Sequence, residues 1–180
     1  VDSSGAVKGI AITAVNTTNG SLKYSTDAGT TWTNVEDVSG TSALLLAADA
    51  DTRLAFTPSS NYNGDISDVL TFRAWDQTSG SAGSKVDTTT NGTTTAFSSD
   101  TVALGTSVNA LNDAPVATGS ATLTAIDEDS VEPAGDTVSN LFSSNFSDST
   151  DDVTGGSAAN SLAGVVITAN AATSDQGTWQ

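Results

Sequence analysis

The sequence predicts an all-β protein built as a β-sandwich, and three observations support this class. Apolar and polar residues alternate in many short segments, which is the period of a half-buried strand. Thr and Val are abundant, and β-branched side chains fit a pleated sheet better than a helix. Clusters of Gly, Asn, Asp and Ser separate the segments, as turns do between strands. Many short strands joined by such turns favour two stacked sheets.

The elements can be placed in chain order. Residues 21–25 alternate, and Asp27-Ala28-Gly29 supplies a turn into residues 31–35, so this region is predicted to form a β-hairpin. Three more alternating segments predict strands at residues 53–56, 70–75 and 102–108. One short helix is predicted over residues 136–142, with Asp136 as its N-cap.

Two stretches, residues 77–99 and 147–160, lack this alternation. Both are rich in Ser, Thr, Gly and Asp. Such composition is typical of surface loops and insertions. We therefore expect these stretches to be loops or insertions.

The charge of the chain limits its partners. Of 180 residues, 37% are hydrophobic, which is enough for a core, whereas five Lys and Arg face 21 Asp and Glu, a formal charge of −16. This charge repels nucleic acid and anionic membranes and favours divalent cations. The longest apolar run, residues 42–48, is far shorter than the roughly 20 residues that span a bilayer, so no membrane insertion is expected. Because the chain opens at Val1 without an initiator Met, we expect it to come from a longer protein.

His and Cys are both missing, and their absence excludes several kinds of chemistry. Without His or Cys the chain cannot form a Ser-His-Asp triad, a thiolate nucleophile or an ordinary zinc site. A glycosidase would need one carboxyl group in an apolar cleft with a raised pKa, and nothing in the sequence marks such a pair. We therefore predict that the chain is not an enzyme. Its oxygen-rich side chains favour a hard cation such as Ca²⁺.

The chain contains an internal repeat. Residues 8–23, KGIAITAVNTTNGSLK, return as residues 163–180, AGVVITANAATSDQGTWQ. Gly9 matches Gly164, Ile12-Thr13-Ala14 match Ile167-Thr168-Ala169, and Gly20 matches Gly177 after a two-residue insertion. The chain therefore holds one period of a tandem array plus an overlap that we expect to be one β-hairpin. The segment LNDAPVA at residues 111–117 is then predicted to be the joint between modules.

Three motifs in their order along the chain carry a resemblance to a known family. FTPSSNYNGDISDVLTFRAWDQ at residues 56–77, LNDAPV at 111–116 and AIDEDS at 125–130 resemble the cadherin-like repeats of giant bacterial surface adhesins, of the RTX and biofilm-associated type. The resemblance implies an Ig/cadherin-like β-sandwich in a tandem repeat array, with Ca²⁺ at the module junctions. It also implies type I secretion to the bacterial cell surface. The function it implies is that of a structural extender in an adhesin or surface fibre, which supports cell adhesion and biofilm formation.

The resemblance divides the chain into two parts. Residues 1–112 would be the later strands of one repeat, and residues 113–180 the linker and early strands of the next. Each part then lacks half of a module. Either residues 1–112 fold alone, or neighbouring repeats supply the missing strands by strand complementation.

The resemblance also implies a set of calcium ligands at the junction. Asn112 and Asp113 in the linker, Asp127 and Glu128 in the acidic segment, and Asp76 after a strand would converge at one pole of the sandwich. Carboxylates from two modules and a linker amide could share one ion, because Ca²⁺ takes six to eight oxygens. Pro115 keeps the linker extended before an ion arrives.

Other acidic groups leave two readings open. Asp49 and Asp51, and the cluster Asp148, Asp151 and Asp152, could each bind an ion within a module, or could simply cap turns. The repeat also departs from the family where paired carboxylates are usual, since residues 14–17 read Ala-Val-Asn-Thr. An ion expected there by analogy would be missing.

An alternative function is a carbohydrate- or ligand-binding module. Trp32, Trp75 and Trp179, together with the polar stretch at residues 77–99, could form a glycan-binding face. Exposed coplanar aromatic rings beside a groove would favour this function. Buried tryptophans would favour the extender.

Overall fold

Antiparallel strands dominate the computed structural model, which describes residues 7–176. The strands are β1 (Gly9–Val15), β2 (Gly20–Ser25), β3 (Thr33–Asn34), β4 (Ala43–Ala47), β5 (Arg53–Pro58), β6 (Gly64–Trp75), β7 (Lys85–Val86), β8 (Val102–Val108), β9 (Val116–Ala117) and β10 (Phe146–Ser147). A short helix, α1 (Val138–Phe142), and 3₁₀ turns at Ser143–Asn145 and Ser174–Gln176 complete the regular structure. The all-β class predicted from the alternation is confirmed.

A five-stranded sheet forms the largest part of the fold, in the order β7-β4-β1-β6-β8. The central strand β1 has antiparallel neighbours on both sides, so that Ile12 lies opposite Leu44 on β4 and opposite Phe72 on β6. A bulge between Ile12 and Ala14 shifts the register toward the end of β1. Strand β1 is thus the central strand, which joins the β7-β4 side of the sheet to the β6-β8 side.

A second sheet has the order β3-β2-β5, and its side chains share a core with the first. Ile12, Leu44 and Leu70 from the first sheet pack in one cluster with Leu22 from β2. Burying a side chain of this size stabilises the fold by roughly 1.5–3 kcal/mol. Because β1 and β2 lie in different sheets, the repeated segment is not a hairpin, and that expectation is wrong. Although β1 and β2 are neighbours in sequence, each pairs with other strands.

The other face of the five-stranded sheet is covered by the stretch predicted to be a loop, residues 77–99. Phe97 and Ala96 from this stretch pack with Trp75 and Leu45 in a second buried cluster. The stretch contributes the edge strand β7, and Thr88 donates its hydroxyl hydrogen to the carbonyl of Gly40 at 2.9 Å. Apolar packing, strand pairing and a hydrogen bond together fix this polar stretch to the sheet.

The predicted hairpin is present, because β2 pairs with β3 in antiparallel register. Its turn is held by hydrogen bonds around Asp27. The Ser25 hydroxyl donates to Asp27 Oδ1 at 2.7 Å and accepts from the backbone N–H of Gly29 at 2.8 Å. The Asp27 carboxylate accepts from the backbone N–H of Thr31 at 2.8 Å and from its hydroxyl at 2.6 Å. Together these bonds, from Thr31 first and then Ser25, lower the pKa of Asp27 from 3.8 to about 2.

The chain divides into two compact units. The first contains residues 1–111 together with Val153–Ser157, and the second contains Asn112–Asp152 and residues 158–180. The division between Leu111 and Asn112 falls in the segment predicted to be a joint. Whether the units are consecutive repeats stays a prediction.

Strands β9 and β10 pair in the second unit, with Val116 opposite Ser147. The helix α1 lies where it was predicted, but its N-cap is Thr137 rather than Asp136. Thr137 Oγ1 accepts from the N–H of Asn140 at 3.1 Å, whereas Asp136 accepts from the N–H of Thr137 at 2.7 Å. The Asp side chain therefore supports the residue that caps the helix.

Among the described residues, no helix has the length and apolar character needed to cross a membrane.

Candidate metal site

Two buried carboxylates lie on one turn of the second unit. The turn follows β10, and the backbone N–H of Asp151 donates to the carbonyl of Asp148 at 3.1 Å. Asp148 and Asp151 are each only 6% exposed. Asp residues are almost never buried to this degree without partners. Among the described residues, Asp148 and Asp151 are therefore the acidic side chains whose burial most needs an explanation.

One carboxylate of the turn, that of Asp151, is bonded to the linker, and the other, that of Asp148, is bonded to Asn160. Asp151 Oδ1 accepts from the backbone N–H of Asp113 at 3.0 Å, and Asp148 Oδ2 accepts from the backbone N–H of Asn160 at 2.7 Å. Asn112 donates its side-chain amide to the carbonyl of Asp113 at 2.8 Å. The predicted linker residues Asn112 and Asp113 are thus brought together with Asp151, a residue 38 positions away.

Every charged side chain after Leu111 in the sequence is acidic. The last basic residue of the chain is Lys85. The acidic residues after Leu111 are Asp113, Asp127, Glu128, Asp129, Glu132, Asp136, Asp148, Asp151, Asp152 and Asp175. No Lys or Arg of the second unit can therefore compensate the two buried carboxylates.

The donor atoms are of the kind that Ca²⁺ takes. Buried carboxylates in proteins are paired with cations or coordinate metals, and Ca²⁺ prefers oxygen ligands from Asp and from backbone carbonyls. Within residues 7–176, however, no group of three or more acidic side chains is already arranged around an ion position. The turn fits Ca²⁺ by chemistry and burial, and a third carboxylate would have to move inward to complete a site.

The predicted ligands Asp127 and Glu128 lie in a turn of their own. Both are exposed, and the carbonyl of Asp127 accepts from the N–H of Ser130 at 3.4 Å. Asp129 in the same turn has a positive φ of 66°. Their role as ligands stays a prediction.

Asp76 belongs to the first unit and follows the end of β6 directly. Its Oδ1 accepts from the backbone N–H of Thr78 at 2.9 Å and from the Thr78 hydroxyl at 2.6 Å. These hydrogen bonds lower the pKa of Asp76. Its carboxylate is used locally to close a turn, as Asp residues commonly do.

Asp49 and Asp51 lie in an exposed turn before β5. Asp49 Oδ1 accepts from the N–H of Asp51 at 3.1 Å and from the N–H of Thr52 at 2.7 Å. Hydrogen bonds from the side chain and backbone of Thr52 lower the pKa of Asp49. The geometry corresponds to the turn reading of this pair, while ion binding stays a prediction.

The tryptophans differ in exposure. Trp75 is 3% exposed, and its indole N–H donates to the carbonyl of Ser79 at 2.7 Å, so it belongs to the core. Trp32 is 42% exposed, and Trp179 lies outside the described residues. A cavity of about 220 Å³ is lined by Tyr24, Asp49 and several Thr residues. Glycan binding stays a prediction, with one exposed tryptophan ring to support it.

Sequence reasoning missed two contacts that organise the chain. One is the bond between Asp151 and the linker. The other is a pair of hydrogen bonds in the first unit, where the Asn63 side chain donates to Ser157 Oγ at 2.9 Å and accepts from the N–H of Ser157 at 2.6 Å. Both join residues far apart in sequence, and no local pattern marks them. The sequence indicated only that the Asp-rich residues 147–160 could bind an ion, and it did not indicate what they contact.

Comparisons with family models, with curated proteins and with solved structures find no match to this chain.

Proposed function

We propose that this chain is a structural extender, a module of an Ig/cadherin-like tandem array that Ca²⁺ rigidifies in a secreted bacterial adhesin or surface fibre. The observation that supports it most is the turn with the buried residues Asp148 and Asp151, which lies in a unit without basic residues and bonds to the linker through the Asp151 carboxylate. The internal repeat and the motifs LNDAPV and AIDEDS add to this support.

We place the proposed ion in the second unit, where the turn after β10 meets the linker. Asp148 and Asp151 supply buried oxygens, and Asp113 approaches them through its backbone. An ion would draw the carboxylate of Asp113 inward and offset the repulsion among these groups. The linker would then be fixed with respect to the turn, as the extender requires.

Calcium would also tie folding to location. At a charge of −16 the chain repels itself where calcium is scarce. Sites of extracellular modules bind Ca²⁺ with dissociation constants of about 10⁻⁴–10⁻³ M, so they fill outside the cell and remain empty inside it. Without disulfides, the stability of a secreted chain must come from core packing or from bound metal.

Thermal unfolding in calcium and in EDTA tests the proposal. At 10 mM Ca²⁺, a site with that range of dissociation constants stabilises the folded state by about 1.4–2.7 kcal/mol. We expect the midpoint of the second unit to rise in calcium and the rise to disappear in Asp151→Asn. Asp100→Asn, which removes one exposed charge from the first unit, should keep the full rise.

Calorimetric titration with CaCl₂ supplies the independent measurement. Heat of binding that is present in the native chain and in Asp100→Asn but lost in Asp151→Asn supports the site. Identical melting curves in calcium and EDTA, with no heat of binding, would exclude the calcium-dependent extender.

A further inference from the structure

One sequence occurs twice in this chain in two opposite environments. In β1, Ala11 and Ile12 are fully buried between β4 and β6. In the matching segment, residues 164–170, Val166 and Ile167 are 87% and 81% exposed. None of residues 164–170 lies in a strand ladder of the described chain. The second copy of the strand sequence therefore presents an unpaired apolar face.

The slot between β4 and β6 that β1 fills has no room for a side chain at Gly9, and the segment retains a glycine at that position. A Cβ atom at Gly9 would lie 2.5 Å from Trp75 Cε3 and 2.7 Å from the carbonyl oxygen of Leu46, so only glycine fits there. Gly164 stands at the matching position. Nothing lies within 4 Å of a Cβ built at Gly164, so its present surroundings do not explain the glycine.

Two further positions agree with the same slot. Ile167 corresponds to Ile12, which fills the shared core. Thr168 corresponds to Thr13, whose hydroxyl donates to the carbonyl of Thr71 at 3.2 Å. The segment thus matches the slot in its glycine, its core residue and its hydroxyl.

The segment also lacks the features that protect an exposed strand. No charged residue occurs between Asp152 and Asp175. Charged side chains and prolines are the usual means of preventing exposed strands from pairing with other chains, and here both are absent. An unprotected apolar strand is open to pairing with another chain.

We propose that residues 164–170 form a donor strand that enters the slot between β4 and β6 of a second copy of this chain, in place of that copy's β1. Val165 then lies opposite Leu46 and Ala74, and Ile167 opposite Leu44 and Phe72. The backbone hydrogen bonds of β1 are replaced one for one. This linkage goes beyond the proposed calcium-dependent extender, because it requires no metal.

The donor strand competes with the β1 of the receiving copy. Val166 replaces Ala11, which is fully buried beside Trp75, so the receiver's own strand packs better. Exchange is therefore favoured when chains fold together at high concentration, because donor strand and β1 are then both free.

Disulfide trapping tests the exchange in full-length chains, since the native protein has no Cys. A donor variant, Val165→Cys, and a receiver variant, Ala74→Cys, are mixed in urea, refolded together at high concentration in EDTA and oxidised. The backbone N–H and carbonyl of Ala74 bond to Ser98, away from β1. Ile10 and Ala74 are therefore a non-hydrogen-bonded pair, the closer kind. A single chain carrying Ile10→Cys and Ala74→Cys calibrates the yield that this geometry allows.

Mixed disulfide should form and should fall at least five-fold when the donor also carries Gly164→Val. The matched donor change Ala163→Val, one residue outside the segment, should leave the yield unchanged. A receiver with Ser107→Cys on β8, a position with no role in the slot, should give little mixed disulfide. A receiver that also carries Ile12→Asp should give more, because its own β1 is weakened; if that variant does not fold, the intact receiver decides.

Three results would overturn the exchange: equal yields with and without Gly164→Val, equal yields at Ser107 and Ala74, or disulfides between donor chains alone. Because the refolding is done in EDTA, mixed disulfide can form even if the calcium site fails. Loss of the exchange would equally leave the calcium titration unaffected.

Discussion

The repeated isoleucines give a matched pair of substitutions whose effects should differ sharply. Ile12 is fully buried in the core cluster shared by the two sheets, whereas Ile167 is 81% exposed. Truncation of a buried Ile to Ala costs about 2–5 kcal/mol, because apolar contact is lost and a cavity remains. An exposed substitution usually changes stability by less than about 0.5 kcal/mol. Ile12→Ala should therefore destabilise the first unit strongly and Ile167→Ala hardly at all.

Urea unfolding followed by tryptophan fluorescence measures the difference. Trp75 is buried in the same sheet as Ile12 and reports on the first unit. With a slope of roughly 1–3 kcal/mol per molar urea, a loss of about 3 kcal/mol lowers the midpoint by about 1–3 M. The titration is done at low micromolar protein, where exchange between copies is disfavoured.

Equal losses for the two variants would refute the reasoning. Such a result would mean that residues 164–170 are buried in the chain at low concentration. A small loss for Ile12→Ala would instead mean that β1 is not the central strand of the sheet. The first outcome would contradict the exposure of Ile167, and the second would contradict the strand order of the five-stranded sheet.

Three other changes have definite expected outcomes. Gly9→Ala should destabilise the first unit by about 1–3 kcal/mol in a urea titration, since its Cβ would collide with Trp75. Asn63→Ala should cost about 1–3 kcal/mol, because two hydrogen bonds with Ser157 are lost, and should raise hydrogen exchange at the Ser157 amide. The folded pKa of Asp27, about 2, lies below its ordinary value of 3.8, so its contribution to stability is present above about pH 4 and lost as the pH falls through 2. Asp27→Asn should therefore flatten acid unfolding in that window, and Asp100→Asn should not.

The strands were predictable because their signal is local. Alternation between neighbouring residues marked the β2–β3 hairpin and the strands around Phe56 and Phe72, and the structure confirms them. The helix was placed correctly as well, with its N-cap shifted by one residue to Thr137. A side-chain period of two or 3.6 residues needs no knowledge of the rest of the chain.

The candidate site was predictable only in part. The motif marked Asn112 and Asp113, and composition marked the cluster around Asp151, but nothing in the sequence joined them. Their contact spans 38 residues and depends on the path of the chain between. Likewise, the polar stretch ending near Phe97 gave no sign that it covers a second face of the sheet.

By itself, the sequence determined the β class, the strand positions, the acidic charge and the repeat, since each depends on residue type and short-range order. Only the tertiary structure decided which strands pair, which carboxylates are buried and what surrounds each copy of the repeated strand. Burial is a property of neighbours distant in sequence. For that reason the same Gly-x-x-Ile-Thr-Ala segment is the centre of a sheet at residue 9 and an exposed strand sequence at residue 164.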